Sequence, residues 1–411
     1  MLSQTRMPRL KRLTIHKFPR VKPGTELVFN EGSNVLLGIN GSGKTTLLKL
    51  LSMVCSGVFD GLKSVGFQID YEVEHEEVRY VVELVHEVSE QSVPSKTRGR
   101  LHVYGVPDSP IEVEVKGGQA SISCGGRSLE GFESPSFFED PFISSAVVML
   151  IGSLALEGMS TRGLEGVDLQ PVYRFDESLG WLYESLGQGR LGIIKRLARP
   201  LLAPMIRTPK AVADAALRHF GSGTNDLLVL QHSELQFLAD AVDAFGYLSA
   251  TMRLDLLEAP AIDSRREMYR YGRYEFRFVK RDGSRLSPGE LSFGQQRLFA
   301  FLYYSAMHPS IVIADELTNG MHHSMIERCL EVVRGRQTFL ATQNPLLLDN
   351  LEFEDAEAVR RTFILCSNDE VDGQEQMVWR NMTVDEAENF YRDYKVGISH
   401  VNDILRSWGL W

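Results

Sequence analysis

A lysine, several hydroxyl residues and three glycines stand together at Gly38, Ile39, Asn40, Gly41, Ser42, Gly43, Lys44, Thr45 and Thr46. The pattern G-x-x-x-x-G-K-T lets backbone N–H groups converge on phosphate oxygens, because glycine brings the chain close without side-chain clash. Lys44 is expected to reach the β and γ phosphates of a nucleoside triphosphate, and the Thr45 hydroxyl to ligate Mg2+. Gly38, Asn40, Gly41, Ser42, Gly43 and Thr46 supply the rest of the cradle. Far downstream, Ile311, Val312, Ile313 and Ala314 are followed by Asp315 and Glu316. Asp315 is the expected second Mg2+ ligand, and Glu316 the base that polarises an attacking water. The two clusters together predict hydrolysis of a nucleoside triphosphate.

Such residues need a strand, a tight loop and a helix to place them. Gly32 and Ser33 make a turn, Val35 to Leu37 read as a short buried strand, and Leu47, Leu48, Leu50 and Leu51 give helical spacing. The run 311–316 fits a buried parallel strand that delivers acids to its C-terminal edge. Lys44 and Asp315 are 271 positions apart, so an insertion divides the nucleotide domain. Phe67 to Val88 and Leu101 to Val115 alternate and carry the turn pairs Gly117-Gly118 and Gly125-Gly126, which predicts an antiparallel β lobe. The stretch from about 175 to 260 reads as helices through Leu179, Leu182, Leu186, Leu227, Leu228, Leu230, Leu235, Phe237, Leu238 and Val242, broken at Pro200, Pro204 and Pro209. No heptad persists, so no long coiled coil is expected. Tyr274 to Phe278 alternate as a strand ending at Asp282-Gly283, and Ala387 to Leu410 read as a helix. The expectation is an α/β P-loop NTPase, one domain over 1–411, with an N-terminal half at 1–60, an inserted β lobe and helical part at 61–270, a C-terminal half at 271–350 and a helical extension at 351–411.

A third motif narrows the class. Ser292 stands 23 positions before Asp315 in Leu291-Ser292-Phe293-Gly294-Gln295-Gln296-Arg297, and Glu316 is followed by Leu317-Thr318-Asn319-Gly320-Met321-His322-His323. With the P-loop, these runs resemble the ABC-type AAA ATPases related to the RecF, SMC and OLD groups. The resemblance implies that Ser292, Gly294 and Gln295 bind the γ-phosphate of ATP held by a second protomer, so that a homodimer closes around two nucleotides. A helix N-terminus suits such an anion, although Ser292 is equally a good N-cap. The resemblance further puts Lys17 and Phe18, at the end of the first strand, beside adenine; the alternative for Phe18 is a core position. Two departures stand out: Phe293 replaces a glycine, and Gln343 in Thr342-Gln343-Asn344 replaces a histidine that touches the γ-phosphate. Gln343 donates a hydrogen bond but carries no titrating proton, which predicts slow or partner-triggered turnover.

The 411 residues, 43% of them hydrophobic, suffice for a large core, and the net charge of −10 argues against a surface that coats nucleic acid. Two basic clusters, Arg6, Arg9, Lys11 and Arg12, then Arg190, Lys195, Arg196, Arg199, Arg207 and Lys210, read as solvated helix faces. Cys55, Cys124, Cys329 and Cys366 are scattered without a zinc pattern. The apolar stretch 143–156 is too short to span a bilayer and no signal segment is visible, so a cytoplasmic protein without membrane contact is expected. The sixty-odd residues after 345 are too few for an appended nuclease. A separate effector protein is therefore the expected partner, as in the sensor ATPase of an anti-phage or toxin-like system. The alternatives are a nucleotide-stabilised scaffold with little turnover and a RecF-like repair ATPase that binds nucleic acid.

Overall fold

The computed structural model describes residues 8–56, 59, 62, 64–75, 77–88, 96–105, 111–116, 119–124, 127–133, 174–175, 180–195, 200–202, 205, 207–222, 225–263, 266–342, 344–371, 373–397 and 400–410. The chain begins with β1 (Arg9–Lys17), β2 (Thr25–Val28), β3 (Ser33–Leu37) and α1 (Lys44–Ser56). Six strands follow: β4 (Phe67–His75), β5 (Val78–Glu87), β6 (Lys96–Tyr104), β7 (Ile111–Lys116), β8 (Gln119–Cys124) and β9 (Arg127–Glu133). After these come α2 (Gly180–Gln188), β10 (Leu191–Lys195), β11 (Leu201–Leu202), α3 (Lys210–His219), β12 (Leu227–Gln231), α4 (Gln236–Phe245), β13 (Ser249–Glu258), β14 (Ala261–Asp263), β15 (Arg266–Val279) and β16 (Arg285–Leu286). The chain ends through α5 (Phe293–Met307), β17 (Ile311–Asp315), α6 (His323–Val333), β18 (Gln337–Ala341), α7 (Pro345–Asp349), α8 (Ala356–Thr362), β19 (Phe363–Val371), β20 (Gln374–Asn381), α9 (Val384–Val396) and α10 (Val401–Ser407). It divides into two units, one of residues 1–174, 310–316 and 335–411, the other of 175–309 and 317–334.

The first unit holds two sheets. One is antiparallel, in the order β2-β1-β4-β5-β6-β7-β8-β9, and contains the expected β lobe; the two glycine pairs at its turns lie outside the described residues. The other runs β17-β18-β3-β19-β20, with β17, β18, β3 and β19 parallel and β20 antiparallel. Of its central strands, β18 is buried throughout and β3 from Asn34 to Leu37, as parallel strands covered on both faces must be. Leu47, Leu48, Leu50, Leu51 and Val54 of α1 pack into one core with Ile313, Phe339, Ala341 and Ile364. Each such side chain contributes about 1.5–3 kcal/mol on burial. The fully buried Gln337 keeps its polar atoms satisfied: its amide donates to the carbonyls of Leu10 and Asn30, and its oxygen accepts from the Leu10 N–H.

Three expectations change here. The tail from 351 is more than helical, because β19 and β20 extend the parallel sheet, with Ile364 beside Leu36. The run that follows them does form helices, but Gly397 in the left-handed region (φ 69°) separates α9 from α10. In the first basic cluster, Arg9, Lys11 and Arg12 lie on a strand; Arg6 lies outside the described residues. Lys11 pairs with Glu31 and Glu74, Arg12 with Glu26 and Glu72, and Arg9 donates to the carbonyls of Ser310 and Gly335.

The second unit was expected to be helical and is mixed. Its antiparallel sheet runs β11-β10-β15-β13-β12, with β14 and β16 on β15, alongside α2 to α6. Leu227 to Gln231 alternate exposed and buried, and Leu228 and Leu230 pair with Leu254 and Met252. An apolar run this short has no period that separates strand from helix, and pairing with β13 decides it. Tyr274 to Phe278 form part of β15, where Phe276 and Phe278 meet Phe299 of α5 edge to face at 4.9 and 5.2 Å. Lys195 pairs with Glu267 and Arg207 with Glu184, while Arg196 and Arg199 lie outside the described residues. The stretch 143–156 also lies outside them; among the described residues, no helix is long and apolar enough to cross a membrane.

Candidate nucleotide-binding site

The parallel sheet sets the site by strand register. Leu36 pairs with Ala341, and Ala341 with Asp315, so the loops leaving β3, β18 and β17 emerge at one C-terminal edge. These loops carry 38–43, 342–344 and Glu316. At such an edge an α/β sheet offers a crevice to ligands.

Glycine is required twice in the first loop. Gly38 has φ 149°, and a Cβ there would lie 2.1 Å from the Cys366 carbonyl oxygen of β19. Gly43 has φ 84°, and its Cβ would meet the Met377 sulfur at 2.3 Å. β20 thus backs the loop, and the Trp379 indole N–H donates to the Ser42 carbonyl at 3.3 Å. A trans peptide sends its N–H opposite to its C=O, so this bond turns the Gly43 N–H away from Trp379. Asn368 holds the Gly41 carbonyl at 3.3 Å and the Glu375 carboxylate at 2.9 Å. α1 starts at Lys44 with no acid in its first turn, leaving its positive end suited to an anion. The buried Lys44 ammonium donates to the carbonyls of Gly38 (2.6 Å) and Ile39 (3.1 Å). Burial pushes the neighbouring Cys366 thiol up to about 12, which keeps it neutral.

The two residues expected to ligate the metal stand side by side. The Thr45 hydroxyl donates to Asp315 Oδ2 at 2.6 Å. One hydroxyl and one carboxylate are hard oxygen donors, the few protein ligands that Mg2+ takes in nucleotide sites, so these residues fit the ion. Ser42 adds a buried hydroxyl with no hydrogen-bond partner, the kind of group a bound phosphate satisfies. Glu316 follows with φ 48°, a left-handed conformation that costs a non-glycine residue about 1–3 kcal/mol and concentrates at functional sites. Its N–H is held by the Ala341 carbonyl at 2.8 Å. Asn40 is exposed and Thr46 half-buried at the start of α1. Thr342 Oγ1 accepts from the Asn344 N–H, and Asn344 caps α7; Gln343 lies outside the described residues.

Of the residues expected beside adenine, Lys17 is exposed at the end of β1, while Phe18 packs partly buried on the core and also lines a cleft of about 410 Å3. Arg20, Val21, Pro23 and Gln374 to Gln376 complete the cleft. Phe18 thus packs on the core and keeps a face on the cleft. Arg20 has φ 60°, fixed by the bond from the Met377 N–H to its carbonyl at 2.6 Å.

The signature residues belong to the second unit. Ser292 is the N-cap of α5: its hydroxyl accepts from the Gln295 N–H at 3.4 Å, and the Gln295 side chain accepts from the Ser292 N–H at 3.1 Å. A Cβ on Gly294 would lie 2.7 Å from the Gly320 carbonyl, and one on Gly320 2.5 Å from the Phe293 ring. Phe293, at the position where the resemblance expects a glycine, thus lies across Gly320. Sequence reasoning missed Arg297, buried in α5 with its guanidinium on the Leu317 carbonyl at 3.1 Å. It also missed Asn368, Met377 and Trp379, because the tail was read as helical, and Arg174, which stands in no recognisable pattern.

Residues 194–349 match the family described as "AAA domain, putative AbiEii toxin, Type IV TA system", and residues 12–116 match one described as "AAA domain". No curated protein matches the sequence. Similar solved structures include an SMC head bound to the C-winged helix domain of ScpA, at 13% identity over 91% of this chain and 98% of that one, TM-score 0.43. An SMC head domain from Thermotoga maritima is 12% identical over 91% and 99%, TM-score 0.37. An SMC head with an extended coiled coil, bound to the C-terminal domain of ScpA derived from Pyrococcus furiosus, is 12% identical over 95% and 100%, TM-score 0.41.

Proposed function

We propose that this chain, whose residues 194–349 and 12–116 match AAA-domain families, is an ABC-type ATPase related to the SMC and RecF groups that binds and hydrolyses ATP and uses the cycle to gate a separate partner protein. The observation that carries the reading is the hydrogen bond from Thr45 to Asp315, with Glu316 next in the chain. In this reading Lys44 leaves the carbonyls of Gly38 and Ile39 for the β and γ phosphates, and the cleft beside Phe18 takes the base. Thr45 and Asp315 would hold Mg2+, which supplies positive charge to the β and γ phosphate oxygens. Glu316 takes the proton of a water whose oxygen bonds the γ-phosphorus as the bond to the β–γ bridging oxygen breaks, releasing ADP and phosphate. Ser292, Gly294 and Gln295 would reach the γ-phosphate held by a second copy, which makes the closed state a homodimer.

Several features favour a protein partner over nucleic acid. The chain is acidic, and Arg9, Lys11 and Arg12 of β1 are spent on neighbouring carboxylates or carbonyls. The family description names a putative toxin of a type IV TA system, which supports a regulatory ATPase of an anti-phage or toxin-like pair. Glu316→Gln should retain ATP binding, lose about 10² to 10⁴ in turnover, the usual contribution of a positioned base, and accumulate the closed dimer. Single-turnover hydrolysis and light scattering with ATP and Mg2+ measure both. Wild-type turnover in this variant would remove Glu316 from the mechanism.

A further inference from the structure

Asp315 already holds a cation that the proposed chemistry leaves unused. Arg174 Nη1 donates to Asp315 Oδ2 at 2.8 Å, and the same oxygen accepts the Thr45 hydroxyl. The Arg174 and Asp315 side chains are only 18% and 13% exposed, so water screens the pair weakly. The two donors differ in what they allow. A hydroxyl keeps its lone pairs while it donates, so Thr45 can bond Asp315 and still offer its oxygen to a metal. A guanidinium has no lone pair to offer a metal and a permanent positive charge, which repels a divalent cation brought to the same carboxylate oxygen.

We infer that Arg174 is a resident counter-cation of the metal site, which must leave Asp315 before Mg2+ and nucleotide can be held there. The inference rests on the reading of Asp315 as the Mg2+ ligand. With the metal absent, the arginine neutralises a largely buried carboxylate that would otherwise carry an uncompensated charge. With the metal present, the divalent ion replaces it and frees a planar donor fork of the kind that binds phosphate. The apparent metal affinity is then the intrinsic one reduced by the fraction of molecules in which Arg174 has moved away. Arg174 therefore sets the Mg2+ concentration at which the site loads.

The test is metal affinity, read without turnover. A fluorescent, non-hydrolysable ATP analogue is titrated with Mg2+ on the full chain, and Mn2+ binding is followed by electron paramagnetic resonance. Arg174→Gln keeps a donor but removes the charge, and should lower the half-saturating metal concentration about tenfold, as when the arginine is displaced in about one molecule in ten. Arg174→Lys should fall between the two. An unchanged or raised half-saturation in Arg174→Gln, in protein whose metal-free unfolding transition matches wild type, would overturn the inference and make Arg174 a support for Asp315. If Arg174→Gln does not fold, Arg174→Lys decides in the same way. Asp315→Asn separates the two levels of the reading. Metal dependence that survives this change sinks the assignment of Asp315, whereas its loss alongside an unaltered Arg174→Gln sinks only the competition.

Discussion

The nucleotide edge of the first unit and the start of α5 in the second each centre on a hydroxyl residue, held in opposite ways. Thr45 bonds Asp315, 270 positions away, whereas Ser292 bonds the backbone of Gln295, three positions on. A capping box forms wherever Ser-x-x-Gln opens a helix, so the Ser292 geometry is explained without any ligand. No local rule brings Thr45 to Asp315; three parallel strands in register, β3, β18 and β17, do so. A contact built by the whole fold speaks for chemistry in a way that a contact built by four consecutive residues cannot.

Glycine substitutions test that contrast where it is largest. Gly38→Ala demands both a strained φ and a Cβ 2.1 Å from a strand carbonyl, so β19 or the loop must move. We expect a loss of about 2–4 kcal/mol in unfolding free energy, the range of strained backbone and overpacked sites, together with loss of nucleotide binding. Gly294→Ala adds a Cβ 2.7 Å from the Gly320 carbonyl without a positive φ. It should cost about 1–3 kcal/mol and leave nucleotide affinity unchanged. Urea unfolding and fluorescent-nucleotide titration separate the two. Equal losses of affinity would mean that the second glycine also shapes the phosphate cradle.

What the sequence disclosed follows the same division. The P-loop, the Asp315-Glu316 strand and the cap at Ser292 were readable because each is a short run whose residue types dictate its backbone. The β lobe was readable from strict alternation. β12 was misread because Leu227 to Leu230 form a continuous apolar run, and period alone does not separate strand from helix there. β19 and β20 escaped because their role lies in long-range pairing, with Cys366 against Gly38 and Met377 against Gly43. Arg174 has no local signature at all; only the fold puts it on Asp315.

At Ser292 the comparison can be broken by a series. Ser292→Ala removes the cap and should cost about 1 kcal/mol, whereas Ser292→Asn keeps an oxygen for the Gln295 N–H and should cost less. If the cap is all that matters, self-association with ATP and Mg2+ will follow this stability order. If Ser292 also meets a γ-phosphate, Ser292→Arg will abolish association in light scattering while nucleotide binding by the monomer persists. Dimers that survive Ser292→Arg would reduce the residue to a helix cap.

The smallest effect concerns what stands behind the loop. β20, which backs Gly43, carries Arg380 one position before its end, and the Arg380 guanidinium forks onto Glu386 at 2.6 and 2.8 Å in the first turn of α9. The Arg380 hydrogen bonds hold the Glu386 carboxyl at about 2, against an ordinary value of 4.5. A depressed folded value means that the ion pair contributes its full stability above about pH 4.5 and loses it as pH falls toward 2. The arginine side chain is 45% exposed, so screening reduces the contribution to about 1 kcal/mol or less. Glu386→Gln isolates this pair, since glutamine still serves as the third residue of the Thr383 capping box. The variant should be less stable than wild type by about that amount at pH 7, with the gap closing between pH 4.5 and 2. Nucleotide affinity, measured at pH 7, should stay within about twofold, because the loop's own fastenings at Trp379 and Asn368 are untouched. A stability gap that stays constant with pH would show that Glu386 acts through the cap alone. A large fall in affinity would extend the long-range construction of the nucleotide edge outward from the loop to the first turn of α9.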